Sequence, residues 1–171
     1  VNPHSFVPTT LDYVDIRPEL VIEMKARYRD LEGTLPFNGW WRNPIAAVFT
    51  VKGCAYECVT CGSSATTCTH LTRRQRPVFR SPASLVANVE SFARLTKGPI
   101  ALIGDLRMAG DAHASEVLER LRRSGVTNEI IVELFGVPPP EFLCEIDRCL
   151  PHWSIEFSPE SHDQAVRNAQ E

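Results

Sequence analysis

The chain has 171 residues, of which 43% are hydrophobic and 23% are charged, a composition typical of ordinary globular domains. Its formal net charge of −3 argues against a general nucleic-acid-binding protein, which normally carries a strong basic excess. No apolar run approaches the roughly 18–20 residues that a membrane span requires, and the N-terminus lacks the layout of a signal peptide. We therefore expect a cytoplasmic protein that does not enter a membrane.

The first part of the chain, residues 1–43, reads as a lead-in or linker from an upstream region. It contains several prolines and one helical pattern, at about residues 19–30. The chain begins at Val1 rather than at a methionine and ends at Glu171 inside a helix-like stretch. We therefore expect it to be a piece of a longer protein whose regular part is residues 44–171.

From residue 44 onwards, strand and helix patterns alternate. Strands are predicted at 45–51, 100–103, 129–134 and 152–158, and helices at 82–95, from Asp111 to Gly125, and after the prolines at 138–140. The helix at 82–95 has Ser81 as its N-cap and Pro82 at its first position, both favoured there. Strands joined through helices predict an α/β fold with a parallel sheet of four successive β/α units.

The last predicted strand alternates apolar and polar residues. Its two sets are Trp153, Ile155 and Phe157, and Ser154, Glu156 and Ser158. In a barrel, the apolar set would meet the outer helices and the polar set would face the lumen, as would Thr50, Lys52 and Glu133 of earlier strands. A solvent-facing edge strand would give the same alternation.

A cysteine run with C-x3-C-x2-C spacing follows the first strand directly. Cys54, Cys58 and Cys61 lie within eight residues of each other, a spacing more typical of metal ligation in a reducing compartment than of disulfides. Three thiolates on one loop can bind three irons of a cubane and leave the fourth iron open for chemistry. The run predicts an iron–sulfur site.

This motif and its place after the first strand resemble the radical S-adenosylmethionine (radical SAM) superfamily. The resemblance covers residues 44–171 and implies a partial (β/α)6 barrel, truncated here after about four β/α units. It implies that Cys54, Cys58 and Cys61 hold a [4Fe–4S] cluster and that SAM on the fourth iron is cleaved reductively to a 5′-deoxyadenosyl radical. An electron donor such as flavodoxin or ferredoxin is implied as a partner, whereas the substrate and the catalytic residues acting on it stay unassigned.

The resemblance also implies residues that contact SAM. Gly104 and Asp105 correspond to a Gly-Gly-Glu-like element that contacts the SAM amino group, although this chain has one glycine fewer and an aspartate for the glutamate. Ser158, Glu160 and Ser161 match a segment that touches the ribose in many members.

Two further comparisons bear on this resemblance. Thr60 stands where many members have an aromatic residue before the third cysteine. The run at 40–44, with the segments at 104–107 and 158–163, looks like an uncharacterised group that is often joined to an upstream cobalamin-binding domain. Cobalamin is therefore a candidate cofactor through a domain outside this chain.

Other interpretations of the cysteine run stay open. Cys68 or His70 could complete a zinc tetrahedron with the triplet. The alternative function is then that of a non-catalytic interaction module, which could bind either zinc or an iron–sulfur cluster. A ferredoxin-like carrier normally has a different cysteine spacing. Cys144 and Cys149 lie on a predicted helix and are interpreted as packing residues.

Two polar features have plain alternatives as well. Asp105 could begin a helix or a turn rather than contact a cofactor. The basic run of Arg73, Arg74, Arg76 and Arg80 could meet an anionic substrate or RNA, but we interpret it as a solvated surface.

Overall fold

The fold comes from a computed structural model, which describes residues 8–13, 17–28, 42, 44–59, 61–157 and 163–170. The helices are α1 (Pro18–Tyr28), α2 (Ala65–Thr72), α3 (Pro82–Leu95), α4 (Asp111–Ser124), α5 (Pro140–Cys149) and α6 (Gln164–Gln170), with a 3₁₀ helix at Leu106–Ala109. The strands are β1 (Ala46–Phe49), β2 (Val51–Lys52), β3 (Val78–Phe79), β4 (Ile100–Ile103), β5 (Ile130–Leu134) and β6 (Trp153–Phe157).

Four of these strands form a parallel sheet in the order β1-β4-β5-β6. The predicted α/β fold with a parallel sheet is therefore confirmed, while the number of β/α units stays a prediction. The first predicted strand is divided in two, because β2 leaves the sheet and pairs antiparallel with β3. The sequence pattern indicated one continuous strand, but the structure has β1 in the main sheet and β2 in a separate two-stranded antiparallel sheet with β3.

The hydrophobic core lies on one face of the sheet. The register aligns Ala46 with Ile100, Ile130 and Trp153, and Val48 with Leu102, Val132 and Ile155. These rows pack against the apolar sides of α3, α4 and α5, which contribute Leu85, Val89, Val117, Leu118, Phe142 and Ile146. Burial of each large aliphatic side chain contributes about 1.5–3 kcal/mol, so this face accounts for much of the stability of the fold.

The helix boundaries follow from their capping residues. Ser81 Oγ accepts a hydrogen bond from the Ser84 N–H at 3.3 Å, and Pro82 takes the first position of α3, as predicted. Helix α4 ends at Gly125, which has a left-handed φ of 69°. The predicted helices at 82–95 and after Asp111 are therefore confirmed.

The other face of the sheet has no helix packed on it within the described residues. Ala47 and Phe49 of β1 are exposed there, as is Glu156 of β6, and Glu133 of β5 is half-buried. Strand β6 lies at an edge of the four-stranded sheet, as the edge-strand interpretation expects. Its polar residues also lie on the face opposite the helices, as the barrel interpretation expects.

Part of the lead-in packs on α3. Leu11 is buried, and the Ser81 N–H at the start of α3 donates to Asp12 Oδ1 at 2.7 Å. Burial acts to raise the pKa of Asp12, but the hydrogen bonds from Ser81 and the nearby Arg80 charge outweigh it and hold the pKa below its usual value. The segment preceding residue 44 therefore contributes to helix α3. The proposed boundary at residue 43 stays a prediction.

Candidate functional site at the carboxyl ends of the strands

The carboxyl ends of β1 and β4 are locked together. Thr50 is buried, and its hydroxyl donates to the carbonyls of Ile103 at 2.9 Å and Gly104 at 3.1 Å. Gly104 has a φ of 104°, and a Cβ there would lie 2.5 Å from Val51 Cγ1 and 2.6 Å from Thr50 Oγ1. Only glycine fits this junction, because both the backbone conformation and the space exclude a side chain.

The predicted cysteines lie in an excursion from this edge, residues 53–77, which we call the cysteine loop. The antiparallel pair of β2 and β3 closes the base of this loop, and the Arg80 N–H donates to the Thr50 carbonyl at 2.9 Å. Gly53 begins the loop with a φ of 93°, and a Cβ there would lie 2.8 Å from the Cδ of Arg74. Helix α2 lies within the loop and begins after its N-cap Ser64. The cysteine loop is thus anchored to the carboxyl edge of the sheet.

The three cysteines form no disulfide bonds. Cys54 and Cys58 are half-buried, and Cys61 is exposed. Backbone N–H groups donate to two of the sulfurs: Tyr56 to Cys54 Sγ and Ser63 to Cys61 Sγ, each at 3.4 Å. Hydrogen bonds of this kind stabilise thiolates and tune the clusters that they bind. The donor set and its backbone partners therefore fit an iron–sulfur cluster.

The sulfurs do not share a single-ion site. Within the part of the chain that the structure describes, no group of three or more His, Cys, Asp or Glu side chains could hold one metal ion. A [4Fe–4S] cubane does not require the three thiolates to converge on one metal ion, because each thiolate binds a different iron. Ligation of a cluster by Cys54, Cys58 and Cys61 stays a prediction.

The other cysteines have different surroundings. Cys68 lies on α2, and its thiol donates to the Ser63 carbonyl at 3.4 Å. Cys149 is buried in the core on α5, where burial raises the pKa of its thiol. Cys144 is exposed on the same helix. The packing interpretation therefore describes Cys149, whereas Cys144 faces outward.

Asp105 directs its carboxylate into the protein. It is 1% exposed and forms an ion pair of 2.6 Å with Arg107 Nη2. Its oxygens also accept from the Arg107 N–H at 2.9 Å, at the start of the 3₁₀ helix, and from the Phe135 N–H at 3.1 Å. The alternative interpretation, that Asp105 begins a helix, describes this side chain. Only its backbone remains a candidate for the predicted SAM contact.

Arg107 completes this buried arrangement. Its Nη2 also donates to the Gly136 carbonyl at 2.9 Å, and its guanidinium lies 5.6 Å from the centre of the Phe142 ring. The hydrogen bond with Asp105 raises the pKa of Arg107 further above its high ordinary value. The pair fastens the end of β4 to the chain that follows β5.

A second carboxylate reaches the end of β4 from the neighbouring strand. The Gly104 N–H donates to Glu133 Oε2 of β5 at the point where the β4–β5 register has ended, after Leu102 and Val132. Glu133 is half-buried and lies on the sheet face away from the helices. A negative charge therefore lies beside Gly104, on the side of the sheet that a barrel lumen would occupy.

Tyr56 connects the cysteine loop with this edge. Its ring packs edge-to-face on Phe135, with 6.3 Å between ring centres. Burial raises the pKa of the Tyr56 phenol, and the nearby charges of Asp105, Cys54 and Cys58 raise it further against the opposing Arg107. The structure therefore brings the cysteine loop to the edge that carries Gly104 and Asp105. The predicted Ser158, Glu160 and Ser161 lie outside the described residues, as does Thr60.

The basic run differs from its prediction. Arg73 and Arg76 are exposed as expected, but Arg74 and Arg80 are buried. Arg80 bonds Asn88 Oδ1 of α3 through its Nη1. The interpretation of the whole run as a solvated surface is therefore wrong for these two residues, because Arg74 packs against Gly53 and Arg80 bonds α3.

Comparison with known proteins identifies a fold. The chain is similar to two structures of the radical SAM methyltransferase TsrM from Kitasatospora setae. One, with tryptophan and the SAM analogue aza-SAM bound, has a TM-score of 0.60 and 17% identity over 78% of this chain and 24% of that one. The other, with cobalamin and a [4Fe–4S] cluster bound, has a TM-score of 0.59 and 18% identity over 74% of this chain and 24% of that one.

These likenesses show that the fold of this chain occurs in a radical SAM enzyme. The chain spans about a quarter of the length of those structures. No protein-family model matches it, and no curated protein matches its sequence. Among the described residues, no helix is both long and apolar enough to cross a membrane.

Proposed function

We propose that this chain is part of a radical SAM enzyme in which Cys54, Cys58 and Cys61 hold a [4Fe–4S] cluster. The observation that carries the proposal is the position of the three cysteines, in a loop that leaves the carboxyl edge of a parallel sheet. Ligands of α/β folds bind at this edge. The fold shared with TsrM supports the proposal.

The cysteine loop would supply the protein ligands. The thiolates would each bind one iron, and the N–H groups of Tyr56 and Ser63 would stabilise the sulfurs of Cys54 and Cys61. A cluster held by these residues would supply the electron for the reductive cleavage of SAM. The Tyr56–Phe135 contact would hold the loop against the chain that follows β5.

SAM would lie between the cysteine loop and the ends of β4 and β6. The backbone at Gly104 and Asp105 would meet the amino group, and Glu133 would supply the negative charge that the buried Asp105 carboxylate does not. Ser158, Glu160 and Ser161, which follow β6 in sequence, would reach the ribose. Strand ends in a parallel sheet share one edge, which supports a common pocket for these segments.

The wider setting is proposed on the same resemblance. One TsrM structure contains cobalamin, which supports cobalamin as a further cofactor, bound by an upstream domain. We propose a flavodoxin or ferredoxin as electron donor and the cytoplasm as location. The substrate is not assigned.

Reductive SAM cleavage tests the proposal. The chain, reconstituted anaerobically with iron and sulfide, is mixed with SAM and dithionite, and 5′-deoxyadenosine is measured by chromatography. We expect formation of 5′-deoxyadenosine by the parent chain and by Cys144→Ala, which alters an exposed thiol on α5. Cys58→Ala should abolish it.

Two outcomes would contradict the proposal. Equal cleavage by Cys58→Ala and Cys144→Ala would remove the triplet from the reaction. Uptake of zinc in place of iron, with no cleavage under any condition, would favour the non-catalytic interaction module.

A further inference from the structure

A buried arginine near the end of the cysteine loop packs against the residue that begins the loop. Arg74 is 5% exposed, and its aliphatic stem packs so closely on Gly53 that a Cβ at Gly53 would meet its Cδ at 2.8 Å. Its backbone is held by the Cys68 carbonyl at 3.4 Å and by the Thr69 hydroxyl at 3.0 Å. The side chain is therefore fixed beside the residue that precedes Cys54.

The guanidinium of Arg74 has no ion-pair partner among the described residues. Its Nη1 atom is also buried without a hydrogen-bond partner in that part of the chain. Arg80, the other buried arginine of the run, bonds Asn88 and lies near the charge of Asp12. A buried cation without a compensating charge is unfavourable, and a negative group beside it would offset this cost.

The cysteine loop provides that negative partner when its thiols are deprotonated. Three thiolates carry three negative charges, whereas the inorganic core of an oxidised [4Fe–4S] cluster carries two positive ones. The loaded loop is therefore an anion, and it becomes more negative on reduction. We propose that Arg74 is the counter-charge of the loaded cysteine loop and a positioning residue that makes the cluster easier to reduce.

This inference rests on the proposed cluster and extends it to a residue outside the cysteine motif. A fixed cation near the cluster stabilises the reduced form more than the oxidised form, because the reduced form carries one more negative charge. Removal of the cation should shift the reduction potential to a more negative value. The same removal should relieve the buried charge in the metal-free chain.

The test compares four forms of the full chain: the parent, Arg74→Met, Arg74→Lys and Arg76→Met. The Met substitution at 74 removes the charge while keeping the stem, and Lys keeps the charge. Arg76 is exposed two residues away and serves as the matched control. Iron and sulfide are quantified after anaerobic reconstitution, and the midpoint potential is measured by dithionite titration followed by electron paramagnetic resonance.

We expect Arg74→Met to bind iron with a more negative potential than the parent, and Arg76→Met and Arg74→Lys to keep the parent value. Metal-free Arg74→Met should be at least as stable to urea as the metal-free parent. An unchanged potential in iron-loaded Arg74→Met, or a metal-free Arg74→Met that is less stable or fails to fold, overturns the inference. Absence of iron binding in the parent would instead overturn the proposed function.

Discussion

The helix-covered face of the sheet and the cysteine loop are stabilised in different ways. Rows of aliphatic residues such as Leu102 and Val132 are completely buried on the helix-covered face. In the described part of the cysteine loop, the buried residues are Ser64 and Arg74, both polar. Burial of apolar side chains stabilises the helix-covered face. The cysteine loop depends instead on hydrogen bonds, on the antiparallel β2–β3 pair at its base and, as we propose, on a cluster. A substitution in one region should therefore leave the stability of the other region unchanged.

The largest stability effect is expected on the helix-covered face. Leu102→Ala should lower the free energy of unfolding by about 2–5 kcal/mol, because it leaves a cavity at a fully buried position. The matched control is Leu71→Ala on α2 of the cysteine loop, where the side chain is 75% exposed and the loss should stay within about 0.5 kcal/mol. Urea unfolding of the metal-free chain measures both, and equal losses would show that the two regions share one core.

A somewhat smaller effect is expected where the two regions meet. Asp105→Asn breaks the buried pair with Arg107 and should cost about 3 kcal/mol, since Arg107 retains some contact with water. The same substitution should leave iron binding intact if Asp105 is structural. Glu133→Gln serves as the control and should change stability less, because Glu133 is only half-buried. Loss of iron with unchanged stability in Asp105→Asn would instead place its carboxylate in the site.

The sequence predicted the regular region well for physical reasons. Helix α3 was located by its Ser81 cap, by Pro82 and by an apolar stripe, and these local signals were sufficient. Strand β4 is apolar throughout, and its first three residues are buried on both faces of the sheet. Where local periodicity and burial agree, the fold can be predicted without tertiary information.

The site was predicted less completely, because its partners are distant in sequence. Asp105 bonds the N–H of Phe135, thirty residues later, and no local pattern records this bond. The two-residue strands β2 and β3 are too short to show a period, and α2 has no buried apolar side to reveal it. A charge run such as the one containing Arg74 does not show which member is buried. The place of Tyr56 between Cys54 and Cys58 was a local signal that this residue lies at the site, where it packs on Phe135.

The smallest effect concerns the contact between the base of the cysteine loop and α4. His113 packs near the Phe79 ring of β3, with 6.3 Å between ring centres. Burial lowers the pKa of His113 below 6.5, although Glu116 opposes this. Because the unfolded chain binds the proton more readily, this group makes stability fall as the pH drops through about 6.5 towards the lower folded pKa, and no further below it.

His113→Gln should remove this part of the pH dependence. Urea unfolding at several pH values between about 5 and 8 would measure the slope for the parent and the variant. His152→Gln, at an exposed position before β6, is the matched control and should keep the parent slope. An identical slope in His113→Gln and the parent would mean that folding does not lower the pKa of His113.

Iron and acid-labile sulfide analysis tests the central claim most directly. After anaerobic reconstitution, the parent chain should contain about four irons and four sulfides per chain, as a [4Fe–4S] cluster requires. Cys54→Ala, Cys58→Ala and Cys61→Ala should each lose most of this iron while keeping the unfolding free energy of the metal-free parent, whereas Cys68→Ala and Cys144→Ala should keep the iron. Full iron and sulfide content in a variant lacking all three cysteines of the triplet would contradict the account.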